Sequence, residues 1–339
     1  MPKILPPSAV MFLCVGLLTS CGGSSPENAL SPPPPDDIRA QYFADARLSE
    51  TGIVTVVATR ADGSPRVLNS ERHLEAEWGI APPPPVLPGF VSREYLLSEN
   101  RSDGKTLVFA SVEQNDTDMN DYLVGGWWMH FPRGTSVRDV TAAERHVYYA
   151  GPELDVSRPP DLPEAGRAIY AGVAGGLYQY DHGAGSEFVE LRGTSEFAEI
   201  FAPAQLEADF DAGSITGCIG CGGPITAQTF YLYPVLPWQG DPPMALPEGY
   251  SLTLPAAPIG ETGVFMAPGV TVTHATRTMD SSSGRWGGQF SNIPDGEVPH
   301  LPRRLLGVAD ARFTESGGTG HFNFGFGLLP APPAADESP

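Results

Sequence analysis

Beyond residue 50 the chain alternates apolar and polar positions with a period of two, in short runs separated by turn residues. That period belongs to strands, whose successive side chains point to opposite faces. Residues 53–58 (IVTVVA), 106–111 (TLVFAS), 122–131 (YLVGGWWMHF) and 146–149 (HVYY) are β-branched, aromatic or aliphatic, and they predict four strands. Residues 70–78 predict a short helix with Ser70 as its cap, and the prolines at 82–85 end whatever precedes them.

From residue 166 the alternation sharpens. Leu206, Ala208 and Phe210 share one face of a strand while Gln205, Glu207 and Asp209 share the other. Phe322, Phe324 and Phe326 likewise oppose His321, Asn323, Gly325 and Gly327. Such a pattern suits a sheet with one buried and one wet face. Further strands are predicted over residues 167–173, 177–180, 187–192, 196–201, 229–233, 270–275, 285–290 and 308–313. Short antiparallel strands in that number predict an all-β fold built on one eight-stranded antiparallel barrel, which leaves no exposed edges, preceded by a small β-rich region. Glycines within the strands fit barrel corners or close packing.

The N-terminus has another character. Lys3 is followed by an apolar run over residues 9–18, too short to span a bilayer as a helix and suited to the core of a signal peptide. Leu18-Thr19-Ser20-Cys21 resembles the bacterial lipobox, which implies cleavage before Cys21 and attachment of diacylglycerol and palmitate-type chains to that residue. An ordinary secretory signal that happens to contain a cysteine is the competing reading. Residues 21–40 are rich in Gly, Ser and Pro and read as an extended tether, and residues 330–339 as a tail of like composition. The expected organisation is therefore a signal peptide (1–20), an acylated tether (21–40), a β-rich, handle-like region (41–160), a barrel (161–329) and a disordered tail (330–339).

Several motifs in the second half resemble the barrel domain of the transferrin-binding protein B family, whose relatives include factor H-binding and haem- or haemoglobin-binding surface lipoproteins. Gly166, Ala168, Tyr170, Gly172 and Gly176 match the Gly-x-Ala-x-Tyr-x-Gly-x-x-x-Gly opening of such barrels. Leu206, Ala208, Asp209 and Phe210, with Ile215 and Gly217 after a turn, match a second strand pair. Gly284, Gly288 and Phe290 resemble a later strand, and residues 320–327 the closing one. The resemblance spans residues 120–330 and rests on scaffold glycines and aromatics, not on ligand contacts. It implies an outer-membrane lipoprotein facing the cell exterior that acts as a non-catalytic binding module. Its ligand would be a protein or a carrier of iron or haem, or its partner an outer-membrane receptor. The chain is too short for the two-lobed archetype. A structural envelope lipoprotein without a soluble ligand is the alternative, and an enzyme a remote one.

Composition adjusts this picture. Forty acidic residues against twenty basic ones give a net charge of −20, which disfavours nucleic acid as a partner. Four cysteines become one free pair, Cys218 and Cys221, once Cys14 leaves with the signal and Cys21 is acylated. In an exported protein this Cys-x-x-Cys reads as a small disulfide pinning a loop; a redox pair or half a metal site are the alternatives. Residues 116–120 (DTDMN) begin like a calcium loop, but Asp121 stands where glycine and Trp127 where the bidentate glutamate belongs, so a solvated acidic turn is expected. Trp127 and Trp128 point to opposite faces of a strand, which places at most one in a core, and with Phe131 they could form an aromatic platform. The seven histidines are scattered, so no metal site is expected, and a haem ligand would be one of these or a tyrosine such as Tyr148. No resident cofactor is expected. The Pro-rich stretch at 237–263 reads as a long loop, with Trp238 and Tyr250 its best anchors for a partner.

Overall fold

A computed structural model describes residues 45–60, 62–79, 89–135, 144–155, 157–183, 195–228, 247–296, 298 and 300–331. Apart from a single 3-10 turn at Pro152–Leu154, the regular structure among them is entirely β, in three antiparallel sheets. The first sheet holds β1 (Asp45–Leu48), β2 (Val54–Thr59) and β3 (Pro65–Asn69) in sequence order. The second is a five-stranded meander of β4 (Leu74–Gly79), β5 (Phe90–Arg101), β6 (Gly104–Asn115), β7 (Tyr122–Pro132) and β8 (Glu144–Ala150).

The third sheet has ten strands: β9 (Arg167–His182), β10 (Ser195–Asp209), β11 (Ser214–Ile219), β12 (Thr226–Gln228), β13 (Tyr250–Pro258), β14 (Val264–Pro268), β15 (Thr271–His274), β16 (Met279–Phe290), β17 (Leu305–Glu315) and β18 (Gly318–Pro330). Its order is β14-β16-β17-β18-β9-β10-β11-β13-β15, with β12 added beside β10. The expected single eight-stranded barrel is thus corrected to three sheets, and among the described residues the ladder of the large one is not closed. Pro268 has no N–H to donate and Gly269 adopts φ +89°, so the chain between β14 and β15 leaves one partner strand for another. β14 pairs with β16, and β15 pairs with β13.

The alternation read from the sequence sets the inner face of the large sheet. Tyr178, Leu206, Ala208, Trp286, Phe313, Phe322 and Phe324 lie there in one aromatic core, all 3% exposed or less. Burying such rings is the largest stabilising contribution available to the sheet. The strands are longer than the sequence suggested. The runs at 167–173 and 177–180 are parts of β9, and those at 196–201 and, up to Asp209, 205–210 fall on β10. Gly176 lies in the middle of β9 because a Cβ there would come within 2.0 Å of the Asn323 carbonyl oxygen on β18.

Two expectations are overturned nearby. Residues 70–78 form a turn and β4, not a helix. Ser70 caps nothing; its Oγ accepts from the Val54 N–H, and Asn69 folds the turn by accepting from the Arg72 N–H. Pairing with β5 then draws residues 74–79 into the sheet. Trp127 and Trp128 are both buried, each 3% exposed, because the five-stranded sheet is covered on both faces. Trp128, Val108, Ala110 and Tyr148 pack against Val54, Val56 and Leu68 of the first sheet. Trp127, Phe109, Met129 and Val147 pack against Leu177, Phe197, Met266 and Val308 on the outer face of the large sheet. The five-stranded sheet is therefore the middle of three layers. The runs at 187–192 and 229–233 lie outside the described residues.

Candidate functional site

The junction between the middle layer and the large sheet does not close completely. Along β6 and β7 the residues that face the large sheet include Phe109, Ser111, Glu113, Leu123, Gly125 and Trp127. Opposite them, β9, β10 and β18 present Val173, Gly175, Glu199, Phe201, Gly325 and Gly327. Between the two walls lies a cavity of about 180 Å³. Glycine shapes it. The Tyr149 ring lies across Gly125 and Gly325, where an added Cβ would meet it at 2.4 and 2.9 Å. Glycine at both positions leaves room for the Tyr149 ring to pack between the two strands.

Two carboxyl groups sit in this apolar enclosure. Glu94, on β5, is 8% exposed and Glu199, on β10, is 5% exposed. Removal from water disfavours a charged carboxylate, so burial pushes Glu94 up to about 7. Burial also pushes Glu199 up to about 8; the Trp127 indole N–H, donating to its Oε1 at 2.8 Å, pulls the other way, and the neighbouring Glu94 adds to the rise. The pair thus takes and releases protons near neutral pH, where an exposed glutamate is fixed as an anion.

Arginines close one end. Arg304, 3% exposed, lines the cavity and directs Nη1 to Glu113 Oε2 at 2.5 Å and Nε toward Glu153 Oε1 at 3.3 Å. Arg303 donates to both carboxylate oxygens of Asp121, at 2.7 and 2.9 Å, and lies 3.3 Å from Glu153. Glu153 itself is 1% exposed and accepts from Ser291 Oγ at 2.7 Å. Burial alone would raise the Asp121 carboxyl, but Arg303 overrides it and holds the group below the ordinary carboxylate range. Both guanidiniums lie over the Phe90 ring, at 5.1 and 5.2 Å. This network ties the middle layer and the 3-10 turn to the segment that leads into β17.

At the other end the contact is polar. The Val147 N–H donates to Asn323 Oδ1 at 3.0 Å, and Arg145 Nη2 donates to His321 Nδ1 at 2.9 Å. His321 must then carry its proton on Nε2, which donates to Asp310 Oδ2 at 2.7 Å. Burial would raise Asp310, but His321, Asn323 and nearby charge hold it at about 2. The face of β18 predicted to be wet is therefore covered here, with Asn323 only 6% exposed.

The residues singled out from sequence are distributed differently. Cys21 and Trp238 lie outside the described residues. Tyr250 is not on a loop: it opens β13, is 1% exposed, and its hydroxyl donates to Glu315 Oε1 at 3.1 Å inside the large sheet, which removes it as a partner anchor. Tyr148, considered as a haem ligand, is fully buried with its hydroxyl donating to the Phe109 carbonyl. Cys218 and Cys221 are joined by a disulfide across the bend that ends β11. Gly166 precedes β9 at φ +97°, Ala168 and Tyr170 face the inner core, and Gly172 lies against β18. Leu206 and Ala208 are fully buried, Phe210 packs at the edge of the core, Asp209 Oδ1 accepts from the Ala212 N–H, and Gly217 lies at a register shift of β11. In the acidic turn, Asp118 Oδ1 accepts from the Asn120 N–H.

Glu94, Glu199 and Arg304 were not singled out from sequence. A signal for Glu199 existed: Phe197 and Phe201 flank it two residues away on the same face, so an acid stands in an apolar row. No protein-family model matches the sequence, and no curated protein resembles it significantly.

Proposed function

We propose that the protein is a lipid-anchored, surface-displayed binding module of the outer membrane, with Cys21 as the anchor and residues 21–40 as the spacer. Several acyl chains on one cysteine would hold it stably, where a single chain binds marginally. In this reading the large sheet is a barrel of the transferrin-binding protein B type, with β14 and β15 acting as two halves of one strand. A bridge between Ile259 and Phe265 and a hydrogen bond from Gly260 N to Val264 O, linking β13 to β14, support that closure.

The observation that carries a binding role is the filled interior. Trp286, Tyr178, Tyr250, Phe322 and Phe324 occupy it, so a large ligand would engage loops and outer walls. The acidic surface, net −20, favours a cationic face on a protein ligand, or on a protein that carries iron or haem.

Protease treatment of intact cells tests display. The folded part should be removed from wild-type cells, and Cys21→Ser should leave the protein folded but off the membrane. A protein protected from protease and recovered with envelope components alone would establish the structural alternative in place of capture.

A further inference from the structure

We propose that the seam between the first sheet and the middle sheet is an acid-sensitive latch: protonation of His130 loosens the first sheet and uncovers the apolar face around Trp128. The inference depends on neither the lipid anchor nor any ligand.

The sheet register builds the latch. Thr106 on β6, His130 on β7 and Glu144 on β8 are cross-strand partners in one row of the middle sheet. Trp128, two residues before His130, packs against Val54, Val56 and Leu68 of the first sheet, so His130 lies on the strand face that meets the same seam. His130 is fully buried, and its Nδ1 pairs with Thr106 Oγ1 at 2.9 Å. Its Nε2 has no hydrogen-bond partner among the described residues. That edge of the ring lies against the backbone of Gly104, where an added Cβ would come within 3.0 Å of Nε2. A neutral ring with its proton on Nδ1 leaves only a bare lone pair at Nε2. Protonation adds a charged N–H there, out of contact with solvent and without an acceptor.

The surrounding charges do not repair this. Arg60 and Arg66 of the first sheet, Asp103 in the turn between β5 and β6, and Glu144 face His130, and Asp62 stands beside Arg60. Arg60 donates from Nε to Glu144 Oε2 at 3.0 Å and from Nη1 to Asp103 Oδ2 at 3.2 Å, and Arg66 Nη2 donates to the same Asp103 oxygen. These bonds tie the two sheets together and commit both acids to the arginines. Burial, and after it the Arg60 charge, draws His130 below its ordinary range against the pull of Asp103 and Glu144. Burial would raise Asp103, but a backbone hydrogen bond and Arg66 hold it low, so it stays anionic while His130 titrates. His146, two residues along β8 from Glu144, lies beside Trp128 with ring centres 5.0 Å apart, and burial lowers it too.

The sign follows. A histidine lowered in the fold contributes stability that is complete above its ordinary 6.5 and is lost as pH falls from there. On the other face of the same layer Glu94 and Glu199 are raised and respond in the opposite direction. Acid therefore acts selectively on the seam with the first sheet.

Hydrogen exchange of the folded full-length chain, read by mass spectrometry at about pH 7, 6 and 5 and corrected for intrinsic rates, tests this. Peptides from residues 45–69 should exchange several-fold faster on acidification, by at most about tenfold per pH unit for one proton, while those from β9 and β18 should not. His130→Gln, which can keep a bond to Thr106, should make residues 45–69 insensitive to pH, and His146→Gln should leave most of the response. If His130→Gln lost its fold by circular dichroism, the wild type would decide: the midpoint of the acceleration should coincide with the titration of the His130 ring followed by NMR. Protection of residues 45–69 that stayed constant would overturn the latch. So would protection that rose with acid, the result expected if the protonated ring reached Asp103 Oδ1, which is buried without a partner. Equal acceleration in all three sheets would mean global unfolding and overturn it as well.

Discussion

The middle five-stranded sheet and the large sheet solve the same burial problem differently. The large sheet has one self-sufficient face: its inner side is an aromatic core, while among the described residues its outer side is covered where the middle layer rests on it. The middle sheet is buried on both faces along β6 and β7. Trp127 looks to one neighbour and Trp128 to the other, and both are buried. The large sheet could therefore be written as alternation, whereas runs such as Leu107-Val-Phe-Ala and Leu123-Val-Gly-Gly-Trp-Trp-Met are apolar on both sides. A layer that depends on two neighbours is the place where imperfect closure leaves a cavity, and where buried acids can be held by those neighbours.

The sharpest way to break this comparison is Trp127→Ala set against Trp286→Ala, which empties the inner core of the large sheet. Truncating a buried tryptophan costs about 3–5 kcal/mol, and Trp127→Ala also deprives Glu199 of its indole donor. Urea unfolding should show one transition with a lowered midpoint for both variants. If Trp127→Ala instead produced two resolved transitions, the middle layer would be a separate folding unit and its dependence on the large sheet an error.

Next in size is the pH response of the interlayer acids. Glu94 and Glu199 have folded-state values raised above the ordinary 4.5. A raised value means that the protonated form suits the fold. Their contribution is complete below the unfolded value and is lost as pH rises toward about 7 for Glu94 and about 8 for Glu199. The limiting slope is about 1.4 kcal/mol per pH unit for each group, so Glu199 should cost roughly 3–4 kcal/mol between about pH 5 and pH 8. Glu199→Gln should be more stable than wild type at pH 8 and nearly equal to it at pH 5. A stability difference between the two proteins that did not change with pH would refute this account.

The arginine network should matter somewhat less, since each partner keeps a second acid. In Glu153→Gln, Arg303 retains Asp121 and Arg304 retains Glu113, so a loss of about 2–3 kcal/mol is expected. Burial should also make that loss insensitive to salt. The Arg167 pairs with Glu207 and Asp209 are the control: with Arg167 67% exposed, Arg167→Ala should cost less than about 1 kcal/mol and fade with added salt. A Glu153→Gln loss that disappeared in high salt would place the network at the surface in solution.

What could be read from sequence follows the same division. The inner face of the large sheet was legible because Phe322, Phe324 and Phe326 alternate with residues that do not share their environment. The covering of Asn323 and Gly325 was not, because a polar or glycine position says nothing about a sheet that docks on it from far away in the chain. Tyr250 reads as part of a loop because the stretch 237–263 is rich in proline; pairing with His274 on β15 and its bond to Glu315 place it in the sheet instead. The acids of the cavity were hidden for a related reason. A glutamate on a strand reads as a solvated face until the partner layer is known.

The Cys218–Cys221 disulfide gives the smallest effect argued in full, and it tests whether the large sheet is as self-sufficient as its core implies. The bond spans a sequence separation of 3, so it removes little freedom from the unfolded chain. For a loop this short the chain-entropy relation gives about 2 kcal/mol at most. The bend it spans is also held by the Gly220 N–H donating to the Pro203 carbonyl at 2.8 Å, and Gly220 supplies the positive φ of +82°. Cys218→Ser combined with Cys221→Ser should therefore lower the midpoint slightly and leave the denaturant slope unchanged. Emission from Trp127 and Trp128, which report on the middle layer, should not move in the folded state. A larger loss, or a change in that emission, would mean that the end of β11 orders more of the molecule than its own turn, and that the large sheet depends on its edges as the middle sheet depends on its neighbours.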